Sequence, residues 1–94
     1  MSNDAVYPSL KNKVVLVTGG ASGIGESITR AMIKQGAKVG FLDFDEEAAT
    51  KLLNELGTDN ISSQICDLRD IDQLKNSVQE VSKTLGAIDV LVNN

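Results

Sequence analysis

The sequence contains no histidine and one cysteine, Cys66, among its 94 residues. Because histidine and cysteine supply most zinc ligands, this composition excludes a zinc site, and we expect no metal. A single cysteine cannot form an internal disulfide. Cys66 lies in the alternating stretch ISSQICDL, where a small buried thiol suits a β-strand. We therefore interpret Cys66 as a core residue rather than a reactive one.

Long apolar runs and basic clusters are also missing. No uninterrupted apolar run approaches the roughly 20 residues that span a bilayer, and the N-terminal stretch MSNDAVYPSLKNK lacks the apolar core of a signal peptide. The formal net charge is −4, and no Lys/Arg stripe is present that could displace phosphate counterions. These absences predict a cytoplasmic protein that has no membrane or nucleic-acid partner.

The 41% hydrophobic content suits one folded domain. The run VVLV at 14–17 is too short for a helix and predicts a strand that is covered on both faces. Further strands are predicted for KVGFLD at 38–43, for a stretch near 60–66, and for IDVLV at 88–92.

Apolar residues at helical spacing separate these strands. The predicted helical faces are Ile24, Ile28, Ala31 and Met32; Ala48, Leu52, Leu53 and Leu56; and Leu74, Val78, Val81 and Leu85. Gly36, Gly57 and Gly86 provide helix stops, and Asp70 with Gln73 forms a predicted capping pair. The order β-α-β-α-β-α-β predicts an α/β fold with a Rossmann-type, doubly wound parallel sheet in the strand order 3-2-1-4.

The glycine-rich stretch TGGASGIG at 18–25 falls between the first strand and the first helix. Gly19 would let the chain turn off the strand, Gly23 would leave room for a pyrophosphate, and Gly25 would let the helix approach the sheet. The free N–H groups at the helix N-terminus would face the phosphates. In isolation such glycines often serve a tight turn, but this setting predicts nucleotide binding.

Asp43 ends the second strand, where a dinucleotide-binding fold places an acid that hydrogen-bonds a ribose. Its alternative role is a helix cap, since Asp45 and two glutamates follow. With Phe44 and Asp45 beside it, and Ser22 rather than a basic residue in the glycine turn, Asp43 would repel a 2′-phosphate. The predicted cofactor is therefore NAD rather than NADP.

TGGASGIG, Asp43, the stretch CDLRD around Asp67 and the closing VNN together resemble the N-terminal half of a short-chain dehydrogenase/reductase. The resemblance covers 13–94 as part of one dinucleotide-binding domain, after a lead of 1–12. It implies that Asp67 bonds the adenine amino group, that Leu68 lies along the ring, and that the closing asparagines support the sheet and wall the site. The predicted cofactor-binding residues are Gly19, Ala21, Ser22, Gly23, Ile24, Gly25, Asp43, Phe44, Asp67, Leu68, Asn93 and Asn94.

By the same resemblance, the whole protein is an NAD-dependent oxidoreductase that interconverts an alcohol (a secondary alcohol, polyol or aldose) and a carbonyl compound. Its expected partners are a small-molecule substrate and further copies in a homodimer or homotetramer. YPSLKNK and QGAKVGFLD are also similar to the start of bacterial D-xylose dehydrogenases. The family's catalytic Ser, Tyr-x-x-x-Lys pair and helical Asn would follow residue 94, so we expect no catalytic residue within 1–94. The alternative is a non-catalytic nucleotide-binding module or a truncated product.

Tyr7 and Lys11 have the Tyr-x-x-x-Lys spacing, but they do not suit a catalytic pair. Pro8 interrupts the segment, which enters at the amino end of the first strand, about 15 Å from the carboxyl ends where cofactor binds. We expect instead an apolar flap in which Tyr7 packs on the sheet.

Overall fold

The computed structural model describes residues 10–57 and 59–94, in which strands and helices alternate as predicted. The elements are β1 (Val14–Thr18), α1 (Gly23–Lys34), β2 (Lys38–Asp43), α2 (Glu46–Leu56), β3 (Ile61–Ile65), α3 (Ile71–Leu85) and β4 (Val90–Asn93). Tyr7 and most of the predicted lead lie outside the described residues.

The strands form one parallel sheet in the order β3-β2-β1-β4, which confirms the predicted topology. Thr18 at the end of β1 pairs with Leu42 on one side and with Asn93 on the other. Asp43 at the end of β2 pairs with Ile65. The carboxyl ends of the strands therefore share one edge of the sheet, where α/β folds bind ligands.

The core lies on both faces of the sheet, and every residue of β1 is buried, as its continuous apolar run predicted. On one face α1 and α2 cover a cluster that includes Val15, Val17, Val39 and Phe41. On the other face α3 packs Val81 and Leu85 into a cluster with Leu16, Leu42 and Cys66. Cys66 is 1% exposed, which confirms its assignment to the core.

Gly40 in β2 permits the close packing of α3. A Cβ atom at Gly40 would lie 2.5 Å from Cγ1 of Val81, closer than two carbon atoms can approach. Since Val81 is fully buried, it has no room to move aside. The absence of a side chain at Gly40 therefore lets α3 lie directly on the centre of the sheet.

The ends of α2 and α3 confirm the predicted start and stop residues. Asp70 Oδ1 accepts hydrogen bonds from the N–H groups of Asp72 and Gln73, and the Gln73 side chain donates to Asp70 Oδ2. Gly57 and Gly86 have φ values of 82° and 107° at the helix C-termini, a conformation that strains other residues. Local sequence patterns thus determine these helix boundaries.

Two predictions of element faces and boundaries were wrong in part. Ile24 is 74% exposed and Ala31 is also exposed, because the buried face of α1 is rotated toward Gly25 and Thr29. Strand β4 spans Val90–Asn93 rather than 88–92. The Asp89 N–H donates to the Val14 carbonyl, but the Val14 N–H donates to the Asp89 carboxylate rather than to a strand carbonyl.

No helix of the described chain has the length and apolar character needed to cross a membrane. Within residues 10–57 and 59–94, no group of three or more potential metal-binding side chains is found.

Candidate functional site

The predicted site residues converge on the carboxyl edge of the sheet. The glycine turn, residues 19–25, follows β1, while Asp43 ends β2 and Asn93 ends β4. The connection from β3 to α3, which carries Asp67 and Leu68, leaves the sheet beside Asp43, because the Cys66 N–H donates to the Asp43 carbonyl at 3.0 Å. Segments distant in sequence thus surround one end of β1.

The glycine turn depends on small residues for different reasons. Gly19 and Gly23 have φ values of 63° and 57°, in the left-handed region that disfavours side chains. A Cβ atom at Gly25 would lie 1.8 Å from the Gly19 carbonyl oxygen, so the absence of a side chain at Gly25 lets the start of α1 pack against Gly19. Around Gly23 nothing lies within 4 Å of a Cβ position, which leaves open space beside the backbone.

The backbone N–H groups of the glycine turn divide into two sets. The Gly19 and Gly20 N–H groups donate to the Leu42 carbonyl at 2.7 and 3.4 Å, and that of Ala21 donates to Asp43 Oδ2 at 3.1 Å. Among the described residues, the N–H groups of 22–25 have no partner, and the N-cap side chain of α1 makes no capping bond. These open donors at the positive end of a helix suit an anion such as a pyrophosphate.

Asp43 connects the glycine turn to the start of α2. Its side chain is buried, and its Oδ1 accepts from the Asp45 N–H at 3.0 Å while Oδ2 accepts from Ala21. The cap of α2 is instead Asp45, whose carboxylate accepts from the Ala48 N–H at 3.0 Å. The alternative role of Asp43 as that helix cap is therefore wrong. Each of its oxygens keeps a further lone pair that a ribose hydroxyl could use.

Asp67 forms a local ion pair with Arg69, whose guanidinium contacts both carboxylate oxygens at 3.1 Å. Hydrogen bonds from the Arg69 side chain, and then from its backbone N–H, hold the pKa of Asp67 below its usual value. The carboxylate therefore stays ionised and can accept a hydrogen bond. The nearby side chains of Phe44 and Leu68 are 78% and 36% exposed, so apolar surface is open at this edge.

The closing asparagines tie β4 to the glycine turn. The Thr18 hydroxyl donates to Asn93 Oδ1 and accepts from the Asn94 N–H, both at 3.0 Å. The Asn94 side chain donates to the Gly19 carbonyl at 3.4 Å. These bonds connect the end of β4 with Thr18 and with the glycine turn.

A cleft of about 180 Å³ separates α1 from α2 beside Ala21 and Ser22. Arg30 crosses it and pairs with Glu26 at 2.9 Å and with Glu55. The Arg30 hydrogen bond holds the pKa of Glu55 below its usual value. Together with Lys51 the cleft contains two cations and two carboxylates, so it presents no net positive charge.

Thr18, Gly20 and Thr29 were not predicted as site residues. A Cβ atom at Gly20 would lie 2.6 Å from Cβ of Phe41 and 2.8 Å from Oγ1 of Thr29. The sequence offered two indications of this close packing. One is the pair of consecutive glycines at 19 and 20, and the other is the polar Thr29, four residues after Gly25 on the same helical face.

Comparison with known proteins gives a consistent family assignment. The family model described as short chain dehydrogenase matches residues 13–94. D-xylose 1-dehydrogenase of Caulobacter vibrioides is 43% identical over 94 residues, which cover 98% of this chain and 36% of that protein. Secoisolariciresinol dehydrogenase of Forsythia intermedia is 37% identical over 90 residues, which cover 96% of this chain and 32% of that protein. The chain thus spans about a third of the length of these relatives.

Solved structures share the fold. A short chain dehydrogenase from Bacillus anthracis matches with a TM-score of 0.83 and 30% identity, over 90% of this chain and 35% of that one. The 3-ketoacyl-(acyl-carrier-protein) reductase from Brucella melitensis, complexed with NADH, matches with a TM-score of 0.82 and 32% identity. That match covers 87% of this chain and 34% of the reductase.

Proposed function

The chain belongs to the short chain dehydrogenase family, and we propose that it is the NAD-binding part of an oxidoreductase that interconverts an alcohol and a carbonyl compound. The observation that carries this proposal is the pairing of open N–H groups at the start of α1 with a buried carboxylate at the end of β2. The N–H groups suit the phosphates of a dinucleotide, and the carboxylate suits the ribose that is attached to them.

The N-terminus of α1 would hold the pyrophosphate. The N–H groups of 22–25 have no partner among the described residues, and the space beside Gly23 allows a phosphate to approach the backbone. The exposed Ser22 and Ile24 would complete this surface, and the buried Ala21 would hold the turn through its N–H bond to Asp43. Asp67 would accept a hydrogen bond from the adenine amino group, and the exposed Leu68 would lie along the ring.

Charge around the ribose favours NAD over NADP. Asp43 is 6% exposed, so water screens its charge poorly, and a 2′-phosphate placed against it would be repelled. Asp45 adds a second carboxylate one residue after Phe44. The two cations of the cleft between α1 and α2, Arg30 and Lys51, are balanced there by Glu26 and Glu55, so this cleft offers no net positive charge for a phosphate.

The bound nicotinamide cofactor would supply or accept the hydride. This chain's residues would bind and orient its adenosine and pyrophosphate parts, and Asn93 and Asn94 would support the site wall from β4. The substrate would be a secondary alcohol, a polyol or an aldose. Similarity to a D-xylose 1-dehydrogenase supports the aldose among these. We also propose a cytoplasmic protein that acts as a homodimer or homotetramer.

The test is a titration of the protein with NADH and with NADPH, monitored by the fluorescence of the reduced nicotinamide. We expect NADH to bind at least about tenfold more tightly, a difference of about 1.4 kcal/mol. Equal affinities would overturn the NAD preference, and absence of binding by both would overturn the proposed function. Tight binding by the whole protein without turnover of aldoses, polyols and secondary alcohols would favour the alternative of a non-catalytic nucleotide-binding module.

A further inference from the structure

Thr29 is a fully buried polar residue beneath the glycine turn. Its side chain is 0% exposed, and its hydroxyl donates to the Gly20 carbonyl at 3.0 Å in a buried hydrogen bond. It lies in the second turn of α1, four residues after the buried Gly25, so both residues face the same way. The buried hydroxyl thus reaches out of the helix to the turn that precedes it.

The Gly20 carbonyl and the Ala21 N–H belong to the same peptide group, which is planar. Thr29 holds the carbonyl end, and Asp43 accepts from the N–H end at 3.1 Å. This peptide group is therefore fixed from opposite sides by α1 and by the end of β2. The other link from Gly20, to the Leu42 carbonyl, is a longer 3.4 Å contact.

The orientation of this peptide group determines where the next N–H groups point. A glycine turn can rearrange by rotating a peptide group, because glycine tolerates both signs of φ. Rotation of the Gly20–Ala21 peptide would redirect the chain at Ser22 and Gly23, where the open donors begin. A hydroxyl that holds the peptide in place therefore maintains the arrangement of those donors.

We propose that Thr29 is a positioning residue for cofactor binding. By holding the Gly20 carbonyl, its hydroxyl keeps the glycine turn in the conformation that presents the N–H groups of 22–25 to a pyrophosphate. This inference rests on the proposed function. It assigns Thr29 to the phosphates, which NAD and NADP share, and Asp43 to the ribose, where they differ.

The test compares three substitutions of Thr29. Thr29→Val and Thr29→Ala both remove the hydroxyl. Valine keeps a side chain of the same shape, whereas alanine keeps no γ-atom. Thr29→Ser retains the hydroxyl. Thr84→Val is the matched control, because Thr84 on the last turn of α3 also donates its hydroxyl to a backbone carbonyl, that of Glu80. The measurements are NADH and NADPH affinity by fluorescence titration and thermal unfolding without ligand.

Thr29→Val and Thr29→Ala should weaken NADH and NADPH by the same factor, about tenfold, as expected when a buried carbonyl loses its donor. Their NADH/NADPH ratio should stay at the wild-type value, and Thr29→Ser should bind within about twofold of wild type. Thr84→Val should change neither affinity.

Undiminished binding by a folded Thr29→Val or Thr29→Ala protein would overturn the role of Thr29 while leaving the proposed function intact. Equal impairment of a folded Thr29→Ser protein would also overturn it, because the hydroxyl would then be irrelevant. Failure of the wild type to bind either nucleotide would instead overturn the proposed function, and this inference with it.

Discussion

Replacement of Asp43 by alanine tests the cofactor assignment most directly, because this carboxylate has two separable roles. It accepts hydrogen bonds from the N–H groups of Ala21 and Asp45, and it is the group that we expect to accept ribose hydroxyls. Asp43→Ala removes both roles together. The first role affects stability and the shape of the glycine turn, whereas the second affects the choice between NAD and NADP.

The expected magnitudes follow from burial. Ala21 is 3% exposed, so its N–H would lose a buried acceptor, at a cost of about 1–3 kcal/mol in the free energy of unfolding. The N–H of the exposed Asp45 can hydrogen-bond to water instead, so the loss of its Asp43 acceptor costs less free energy of unfolding. For binding, loss of the ribose contacts and of the repulsion toward a 2′-phosphate should weaken NAD relative to NADP by at least about tenfold, or about 1.4 kcal/mol.

Chemical denaturation and paired titrations with NADH and NADPH separate the two effects. The matched control is Asp89→Ala, because Asp89 also accepts a strand N–H, that of Val14 at 2.9 Å, but at the amino edge of the sheet. Asp89→Ala should reduce stability while leaving the ratio of NADH affinity to NADPH affinity unchanged. Asp43→Ala should change both the stability and this affinity ratio.

An unchanged NADH/NADPH ratio in a folded Asp43→Ala protein would refute the ribose assignment. Such a result would leave Asp43 with the structural role alone, and the preference would then have to originate elsewhere in the protein. A changed ratio in Asp89→Ala would show instead that the ratio responds to stability in general.

Three further predictions concern the glycine turn, the helices and the core. Gly23→Val should abolish measurable NADH binding, whereas Gly57→Val, at a similar positive φ with equally open space, should carry only the backbone strain and leave binding intact. Glu55→Gln should lower the melting temperature at neutral pH. Because folding lowers the Glu55 pKa, this difference should be present above about pH 4.3 and vanish as the pH falls through the folded-state pKa. Gly40→Ala, whose methyl would meet Val81 at 2.5 Å, should destabilise the fold by about 1–3 kcal/mol in chemical denaturation.

The sequence predicted the parts of the fold that depend on local rules. The buried run of β1, the capping pair at the start of α3 and the glycine stops of α2 and α3 each depend on residues close in the chain. The strand order 3-2-1-4 followed from the alternation of strands and helices, since crossover connections allow few arrangements.

The close approaches between distant segments could not be predicted in this way. Gly40 meets Val81, and Gly20 meets Phe41 and Thr29, only after α3 and α1 pack on the sheet. A glycine in a strand or turn has several explanations. The sequence therefore offers no means to choose among them before the neighbouring element is placed.

The exposure of Ile24 has a physical cause that also locates the site. A helical stripe predicts burial only where another element covers that face of the helix, and in α1 the covered face carries Gly25 and Thr29, which leaves Ile24 74% exposed at the carboxyl edge of the sheet. The same turn carries the N–H groups that no described residue uses. An apolar side chain and unpaired donors are thus left open at one helix end, and a pyrophosphate with its attached ribose could satisfy the donors while covering the apolar surface. Ile24, one of the two residues at which the apolar pattern of α1 failed, therefore lies where we place the cofactor.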